Sequence, residues 1–498
     1  MNQNQTPLLD AVSAFIETRP TYFRIPGHRL DRGISSRWTD RVGTDIFSYD
    51  VTETPLTDDL HQPEGAIREA QELLARLYGA DQSFFLVNGS TCGNEAMIMG
   101  AALEGEEIMI ARNAHKSAMM GLILSGARPV YVMPELIPEW AVQGVVTARE
   151  VRTCFEAHPD CKALFLVSPS YYGICSDLRE IAAVCHEYGA LLLVDEAHGG
   201  HLYFHDALPA GALDAGADMC VQSMHKVAGA LTQSSVLHIR DHGINKPALA
   251  KAAENLHLVQ STSPNYLLMT SLDCARYELA QNGNQMMEKA LALAAAARSE
   301  IQQIPGFRCM DYTDITAKKM TSMSENCPLD RTRLVISAKD LGLTGFGLDK
   351  ILFEKYAVNM ELADYENVLA IVTYANEKSD LDRLINACEN IRKIQTEIPD
   401  KKKRLANTCP SGLPGLPQQA MTPRQAYFSP KETVRWQDAV GKISGQMIAP
   451  YPPGIPIVYP GERISRDIWE YIECFRRDGL HMHGTDQNSR LDYIKIIN

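Results

Sequence analysis

The chain has 498 residues, a formal net charge of −13 and 45% hydrophobic residues. An acidic balance of this size argues against a surface built for nucleic acid or for an anionic membrane. No apolar run approaches the roughly 20 residues that cross a bilayer, and the length predicts more than one structural unit.

The opening MNQNQTPLLDAVSAFIETRP has no basic stretch leading into an apolar one, so no secretory signal is expected. Twelve cysteines are scattered along the chain with no C-x-x-C pair, and several sit in apolar runs, such as Cys185 in IAAVCHEYG and Cys220 in DMCVQS. That usage predicts reduced, mostly buried thiols and a cytoplasmic protein. Four segments are expected: an N-terminal segment over 1–60, a large domain over 61–300, a small α/β domain over 301–399, and a linker with a C-terminal domain over 400–498. The linker signal is DKKKRLANTCPSGLPGLPQQ, from Asp400 to Gln419, where a charge run gives way to Pro and Gly.

In chain order, the first strong element is GAIREAQELLARLYGA, where Ile67, Ala70, Leu73, Leu74, Leu77 and Tyr78 fall at helical spacing. Seven short β-rich runs follow: FFLVN, EIMIA, PVYVM, ALFLVSP, LLLVDEA, MCVQS and SVLHI. Helical or loop segments separate most of them, and DLREIAAVCHEYGA places Leu178, Ile181, Ala182 and Cys185 on one helical face. Continuous apolar strands alternating with helices predict an α/β fold with a mostly parallel seven-stranded sheet covered on both faces. Reactive groups in such sheets lie where strands end and loops begin.

Three strand ends carry distinct chemistry. After FFLVN comes GSTCGNEA, in which Gly89, Ser90, Thr91 and Gly93 open a helix. Backbone N–H groups and two hydroxyls there make either a phosphate cradle or an ordinary capped turn. After LLLV comes DEAHGGH, whose Asp195 is a carboxylate at the end of an apolar strand. It needs a cationic or hydrogen-bonding partner, catalytic or structural. After MCVQS comes MHKVAG, with His225 and Lys226. Pyridoxal phosphate asks for all three at once: a lysine for its aldehyde, an acid to keep its ring nitrogen protonated, and a cup for its phosphate. On this reading Lys226 is the cofactor lysine.

The chain resembles the short bacterial form of the Orn/Lys/Arg decarboxylases of the aspartate-aminotransferase fold. The resemblance is carried by PGH at Pro26 to His28, LTDDLHQPEGAI at Leu56 to Ile67, NGSTCGN at Asn88 to Asn94, RNAHKS at Arg112 to Ser117 and SPSYYGICSDL at Ser168 to Leu178. It continues through VDEAHG at Val194 to Gly199, SMHK at Ser223 to Lys226, QSTSPNYLLMTSLD at Gln260 to Asp273 and PYPPGIPIVYPGE at Pro450 to Glu462.

The resemblance implies a fold type I pyridoxal-phosphate enzyme with a smaller C-terminal α+β region. It implies that Ser90, Thr91, Ser223 and His225 bind the phosphate, that His115 stacks on the pyridine ring, and that Asp195 pairs with the ring nitrogen. Ala197 or His198 would lie near the opposite face or the ring oxygen, and Lys226 would hold the aldehyde. Lys226 or His225 would return the proton to the α-carbon. Ser261 and Thr262 of QSTSP would reach the phosphate of a partner subunit, so the site would be shared within a homodimer or larger homo-oligomer. Glu462 would receive the cationic tail of the substrate. The implied reaction is decarboxylation of a basic L-amino acid, arginine to agmatine first, then lysine or ornithine. An aminotransferase or carbon–carbon lyase on the same fold, or a non-catalytic relative, are the other readings. The apolar residues between the prolines of QMIAPYPPGIPIVYPGERI predict an ordered, buried loop rather than disorder.

Overall fold

The computed structural model describes residues 2–316, 329–396, 414–450, 455–477, 482–484 and 491–498. The large sheet has strands β1 (Gln82–Leu86), β2 (Glu107–Ala111), β3 (Arg128–Val132), β4 (Ala163–Val167), β5 (Leu191–Asp195), β6 (Met219–Gln222) and β7 (Ser235–Ile239). Their spatial order is β1-β7-β6-β5-β4-β2-β3. Only β7 opposes its neighbours, pairing antiparallel with β1 and β6; the other pairs are parallel. Each of the seven runs picked from the sequence forms one of these strands.

Why the strands read as unbroken apolar runs is visible in the packing. Met109, Ala111, Leu164, Leu166, Leu192 and Val194 enter one core. Their chain neighbours Ile108, Ile110, Ala163, Phe165, Leu191 and Leu193 enter the other. Successive side chains alternate between faces, and both faces are covered by helices. Helices α1 (Pro7–Glu17) and α2 (Ala66–Tyr78) bury Leu8, Val12, Ile67, Ala70 and Leu74 on the first face. Helix α3 (Gly89–Ala101) lies on the second. A Cβ at Gly93 would come within 2.7 Å of Val221 on β6, so this glycine permits α3 to sit hard against the sheet. Helices α4 (Lys116–Ser125), α5 (Ala148–Ala157), α6 (Leu178–Glu187) and α7 (Lys246–Val259) complete the layers.

Helix α8 (Tyr266–Gln303) has 38 residues and so runs about 57 Å. Its start buries Tyr266, Met269 and Leu272 in the large core, and its end buries Ala294, Ala297 and Ile301 in a separate one. That second core lies on an antiparallel sheet of β8 (Arg308–Cys309), β9 (Arg333–Ser337), β10 (Leu362–Ala363) and β11 (Asn367–Ile371), in the order β8-β9-β11-β10. Helices α9 (Gly345–Tyr356) and α10 (Lys378–Thr396) cover it. A third core joins a sheet of β12 (Glu432–Arg435), β13 (Ile443–Ser444) and β14 (Tyr493–Ile497) to helix α11 (Arg466–Arg477).

In the proline-rich stretch Ile448, Ala449, Val458, Tyr459 and Ile464 are buried, while 451–454 lie outside the described residues. So do 400–413 of the linker signal. The cysteines among the described residues are free thiols, most of them buried. Among the described residues no helix is long and apolar enough to cross a membrane.

Candidate active site

A cavity of about 450 Å³ opens at the carboxyl ends of the parallel strands, within the range of about 300–1,000 Å³ typical of small-molecule sites. Ser90, His115, Asp195, Ala197, His198 and Lys226 line it together, although they come from four different strand ends. The opposite wall comes from the second and third units, through Lys339, Phe346, Asp364, Glu366, Ile457 and Tyr471.

Asp195 is the last residue of β5 and is 4% exposed. Its Oδ2 accepts from Asn94 Nδ2 at 2.8 Å and its Oδ1 from the Ala197 N–H at 3.2 Å. Burial pushes its carboxyl above the usual value, against the pull of Lys226, Asn94 and the Ala197 N–H. Asn94 Nδ2 also donates to Ser117 Oγ at 2.9 Å, and that hydroxyl is 3.0 Å from His115 Nδ1. His115 caps α4, its Nδ1 accepting from the Ser117 N–H at 3.3 Å. One hydrogen-bonded chain therefore runs from Asp195 to His115, so the acid and the imidazole hold each other in place.

Lys226 stands in the helical turn Met224–Val227 just past β6. Its Nζ is 2.9 Å from His198 Nε2 and 5.4 Å from the ring centre of Tyr171. Burial lowers its amine below the ordinary lysine value, partly offset by Asp195. Burial and the charges of Lys226 and Arg333 hold His198 well below the ordinary histidine value. His198 is therefore a neutral imidazole that accepts at Nε2 from Lys226. Its ring lies 4.4 Å from that of Tyr171, and its carbonyl accepts from Arg333 Nη2 at 3.0 Å.

Two segments meet beside the cavity at Ser90. Ser223 Oγ donates to Ser90 Oγ at 2.9 Å. Gly89 has φ +73°, a left-handed conformation that glycine adopts without penalty. Helix α3 has no side-chain cap, whereas Thr147, Asp177, Asn245 and Asn265 cap α5, α6, α7 and α8. The hydroxyls of Ser90 and Thr91 stand in its first turn, beside its first N–H groups.

Other expected residues lie apart from this group. His225 is not in the cavity lining, and its Nδ1 is 3.0 Å from the Ser234 carbonyl. Ser261 and Thr262 are exposed on the turn before α8. Glu462 departs most from its expected place. It is 1% exposed and its Oε2 accepts from Arg112 Nη2 at 2.9 Å and from the Tyr459 N–H at 2.7 Å. Arg112 lies against the rings of Tyr131 and Tyr459, at 4.8 and 4.2 Å. The carboxylate is engaged in a buried ion pair that joins β2 to the third unit, and it is not on the cavity wall. Residues that the sequence reading missed are Asn94, Ser117 and Tyr171. All three stand inside quoted motifs, as the last residues of NGSTCGN and RNAHKS and within SPSYYGICSDL, where residue type alone gives no role.

Residues 6–380 match the family described as Orn/Lys/Arg decarboxylase, major domain, and 404–489 match Orn/Lys/Arg decarboxylase, C-terminal domain. An arginine decarboxylase of Halalkalibacterium halodurans is 37% identical over 490 residues, covering 98% of this chain and 96% of its own. An arginine decarboxylase of Bacillus subtilis is 37% identical over 497 residues, covering 100% and 99%. Among solved structures the constitutive lysine decarboxylase of E. coli superposes with a TM-score of 0.85 at 21% identity, covering 99% of this chain and 82% of that one.

Proposed function

The chain belongs to the Orn/Lys/Arg decarboxylase family, and from that premise we propose that it is a pyridoxal-phosphate-dependent arginine decarboxylase, releasing carbon dioxide and agmatine from L-arginine. The observation that carries the reading is the meeting of Lys226, Asp195 and the Ser90–Ser223 hydroxyl pair around one cavity. The choice of arginine is supported by full-length likeness to arginine decarboxylases.

The residues present fit the cofactor. Asp195 is a buried carboxylate raised by burial, which a protonated ring nitrogen would relieve. The uncapped N-terminus of α3 suits a phosphate dianion. Pyridoxal phosphate supplies, when bound, an aldehyde for an amine and a ring that accepts the electron pair left as the bond from the α-carbon to the carboxylate breaks.

The chain's own residues do the rest. Lys226, with its lowered amine, presents more free base at neutral pH than an ordinary lysine and is the nucleophile toward the aldehyde. His198, neutral and accepting at Nε2 from Lys226 Nζ 2.9 Å away, can take a proton from that amine and return it, so these two groups, rather than His225, whose Nδ1 is engaged with the Ser234 carbonyl, are the proton store for the α-carbon. The His115 ring is fixed through Ser117 and lines the cavity, and we read it as the flat partner of the pyridine ring. Val167, Leu343, Phe346 and Phe475 keep the site dry, which strengthens each charge interaction inside.

An aminotransferase turns an arginine toward the substrate carboxylate. Here Arg333 is fully buried against Asp330 and the His198 carbonyl, and Arg112, which lines the cavity, already pairs with Glu462. We read the exposed Ser261 and Thr262 as hydroxyls offered to a partner subunit in a homodimer or larger assembly in the cytoplasm.

The test is incubation of purified, cofactor-loaded protein with L-arginine, L-lysine and L-ornithine separately, following carbon dioxide and amine. Agmatine should form fastest. Faster cadaverine or putrescine would move the substrate assignment, and no carbon dioxide from any of the three would overturn decarboxylation.

A further inference from the structure

A basic amino acid bound with its α-amine at Lys226 carries a cation at its far end, and that cation needs a partner on the cavity wall. Among the described residues three carboxylates line the cavity: Asp195, Asp364 and Glu366. Asp195 lies beside the lysine and holds Asn94. Asp364 is saturated. Its oxygens accept from Tyr172 Oη at 2.7 Å, from the N–H groups of Glu366 and Asn367 at 2.7 Å each, and from Asn367 Nδ2 at 3.1 and 3.0 Å. A carboxylate offers about four lone-pair directions, so no acceptor is left for a ligand.

Glu366 is different. It sits in the tight turn between β10 and β11, and its Oε2 accepts from Lys339 Nζ at 2.8 Å. The two side chains are 25% and 38% exposed, and both line the cavity. The backbone under the carboxylate is pinned. The Glu366 N–H goes to Asp364, and its carbonyl accepts from Ser337 Oγ at 2.9 Å. The lysine that faces it is a long, flexible stem bearing a point charge. A fixed acid held by a movable ammonium on a cavity wall is an exchangeable ion pair.

We propose that Glu366 receives the guanidinium of the substrate and that Lys339 occupies this carboxylate until the substrate displaces it. The inference rests on the proposed function and names the residue that selects the substrate. A guanidinium is a planar fork that engages both carboxylate oxygens, so its exchange for Lys339 replaces a single contact with a paired one. The ammonium of lysine or ornithine replaces like with like. Glu366 therefore favours arginine over the shorter or single-point cations. Asp364 is a positioning residue. It fixes the turn that aims Glu366 and ties that turn, through Tyr172, to the loop bearing Tyr171 beside Lys226.

The test uses full-length, cofactor-loaded protein, with turnover of arginine and lysine measured beside calorimetric binding of agmatine. Glu366→Gln should raise KM for arginine by about tenfold or more, lower kcat by less, and weaken agmatine by a similar factor. KM for lysine should change less, so the preference for arginine narrows. Lys339→Met should lower KM for both substrates by a similar factor and tighten agmatine, a gain that damaged folding cannot produce. Glu366→Asp should recover part of the loss. Arginine KM and agmatine affinity both within twofold of wild type in Glu366→Gln would overturn the inference while leaving decarboxylation intact. Weaker agmatine binding in Lys339→Met would equally overturn the exchange. Should wild type release no carbon dioxide, the functional reading fails, and agmatine binding still decides the role of Glu366.

Discussion

Replacing Glu462 separates a structural carboxylate from a substrate-binding one. Its pair with Arg112 is closed to water: the side chains are 6% and 1% exposed and the N–O distance is 2.9 Å. Burial disfavours the charge on Arg112, and Glu462 with the nearby Tyr459 and Tyr131 together outweigh it, so the guanidinium stays protonated. Glu462→Gln keeps an oxygen for the Tyr459 N–H but leaves Arg112 charged, buried and without its counter-ion. Breaking such a pair from one side costs about 3–5 kcal/mol, while removing both charges together is often neutral. Glu462→Ala adds the loss of the Tyr459 bond, about 1 kcal/mol more.

The order of stability should therefore be wild type, close to Arg112→Met with Glu462→Met, then Glu462→Gln, then Glu462→Ala. The assay is the thermal midpoint of each protein, with limited proteolysis to follow release of the third unit, which this pair ties to β2. Because the pair is buried, the difference should persist at high salt. In the folded Glu462→Gln protein, KM for arginine should stay within about threefold, since the carboxylate is not on the cavity wall. A tenfold rise in KM with an unchanged midpoint would refute this reasoning and restore Glu462 as a substrate residue.

Three further outcomes follow from the site. Lys226→Ala should lose turnover and the visible absorption of lysine-bound cofactor; borohydride fixation of cofactor to a different lysine in wild type would remove Lys226 from its role. Capture of cofactor by apoenzyme needs the free amine, so its rate should rise with pH about a midpoint below the ordinary lysine value, and Asp195→Asn should move that midpoint lower still, because Asp195 is the larger of the two carboxylate charges, with Glu361, that raise it; an unchanged or higher midpoint would refute the coupling. A Lys226→Ala subunit exchanged with a Ser261→Ala, Thr262→Ala subunit should rebuild one intact site per heterodimer; no recovery after confirmed exchange, with the loop variant itself impaired, would place those hydroxyls within their own chain.

The seven strands were legible because each is a continuous apolar run whose alternate residues face two cores, and such a run survives without knowledge of its neighbours. Asp195 and Lys226 were legible for a related reason. A charged residue directly after an apolar strand stands out in the local sequence, and a parallel sheet brings all such ends to one edge. Asn94 and Ser117 were not, since an amide and a hydroxyl inside a helix look like ordinary turns of surface until the acid and the imidazole they join are in place. The place of Glu462 was not legible, because the resemblance offered only the motif PGE, whereas the partner that engages it, Arg112, lies 350 residues away.

That contrast bears on how members of one family come to prefer different amino acids. The groups that line the cavity around Lys226, namely Ser90, His115, Asp195, Ala197 and His198, lie within 90–226, on turns set by the large sheet. A change there alters the chemistry common to arginine, lysine and ornithine, and so cannot discriminate among them. The far wall is drawn from Lys339, Asp364 and Glu366 of the second unit and from Pro414–Pro417, Ile455–Ile457, Tyr471 and Phe475 beyond it. Lys339 and Asp364 stand just past β9 and β10, but the rest of this wall directly follows no strand, and its placement depends on how three separately cored units dock. Selectivity placed on that wall can vary through single side chains, such as the acid facing Lys339, while the cofactor end stays as it is. Residues deciding the length and shape of the substrate's tail should therefore be sought after 330, and exchanges of side chains there should alter KM ratios between substrates more than they alter kcat.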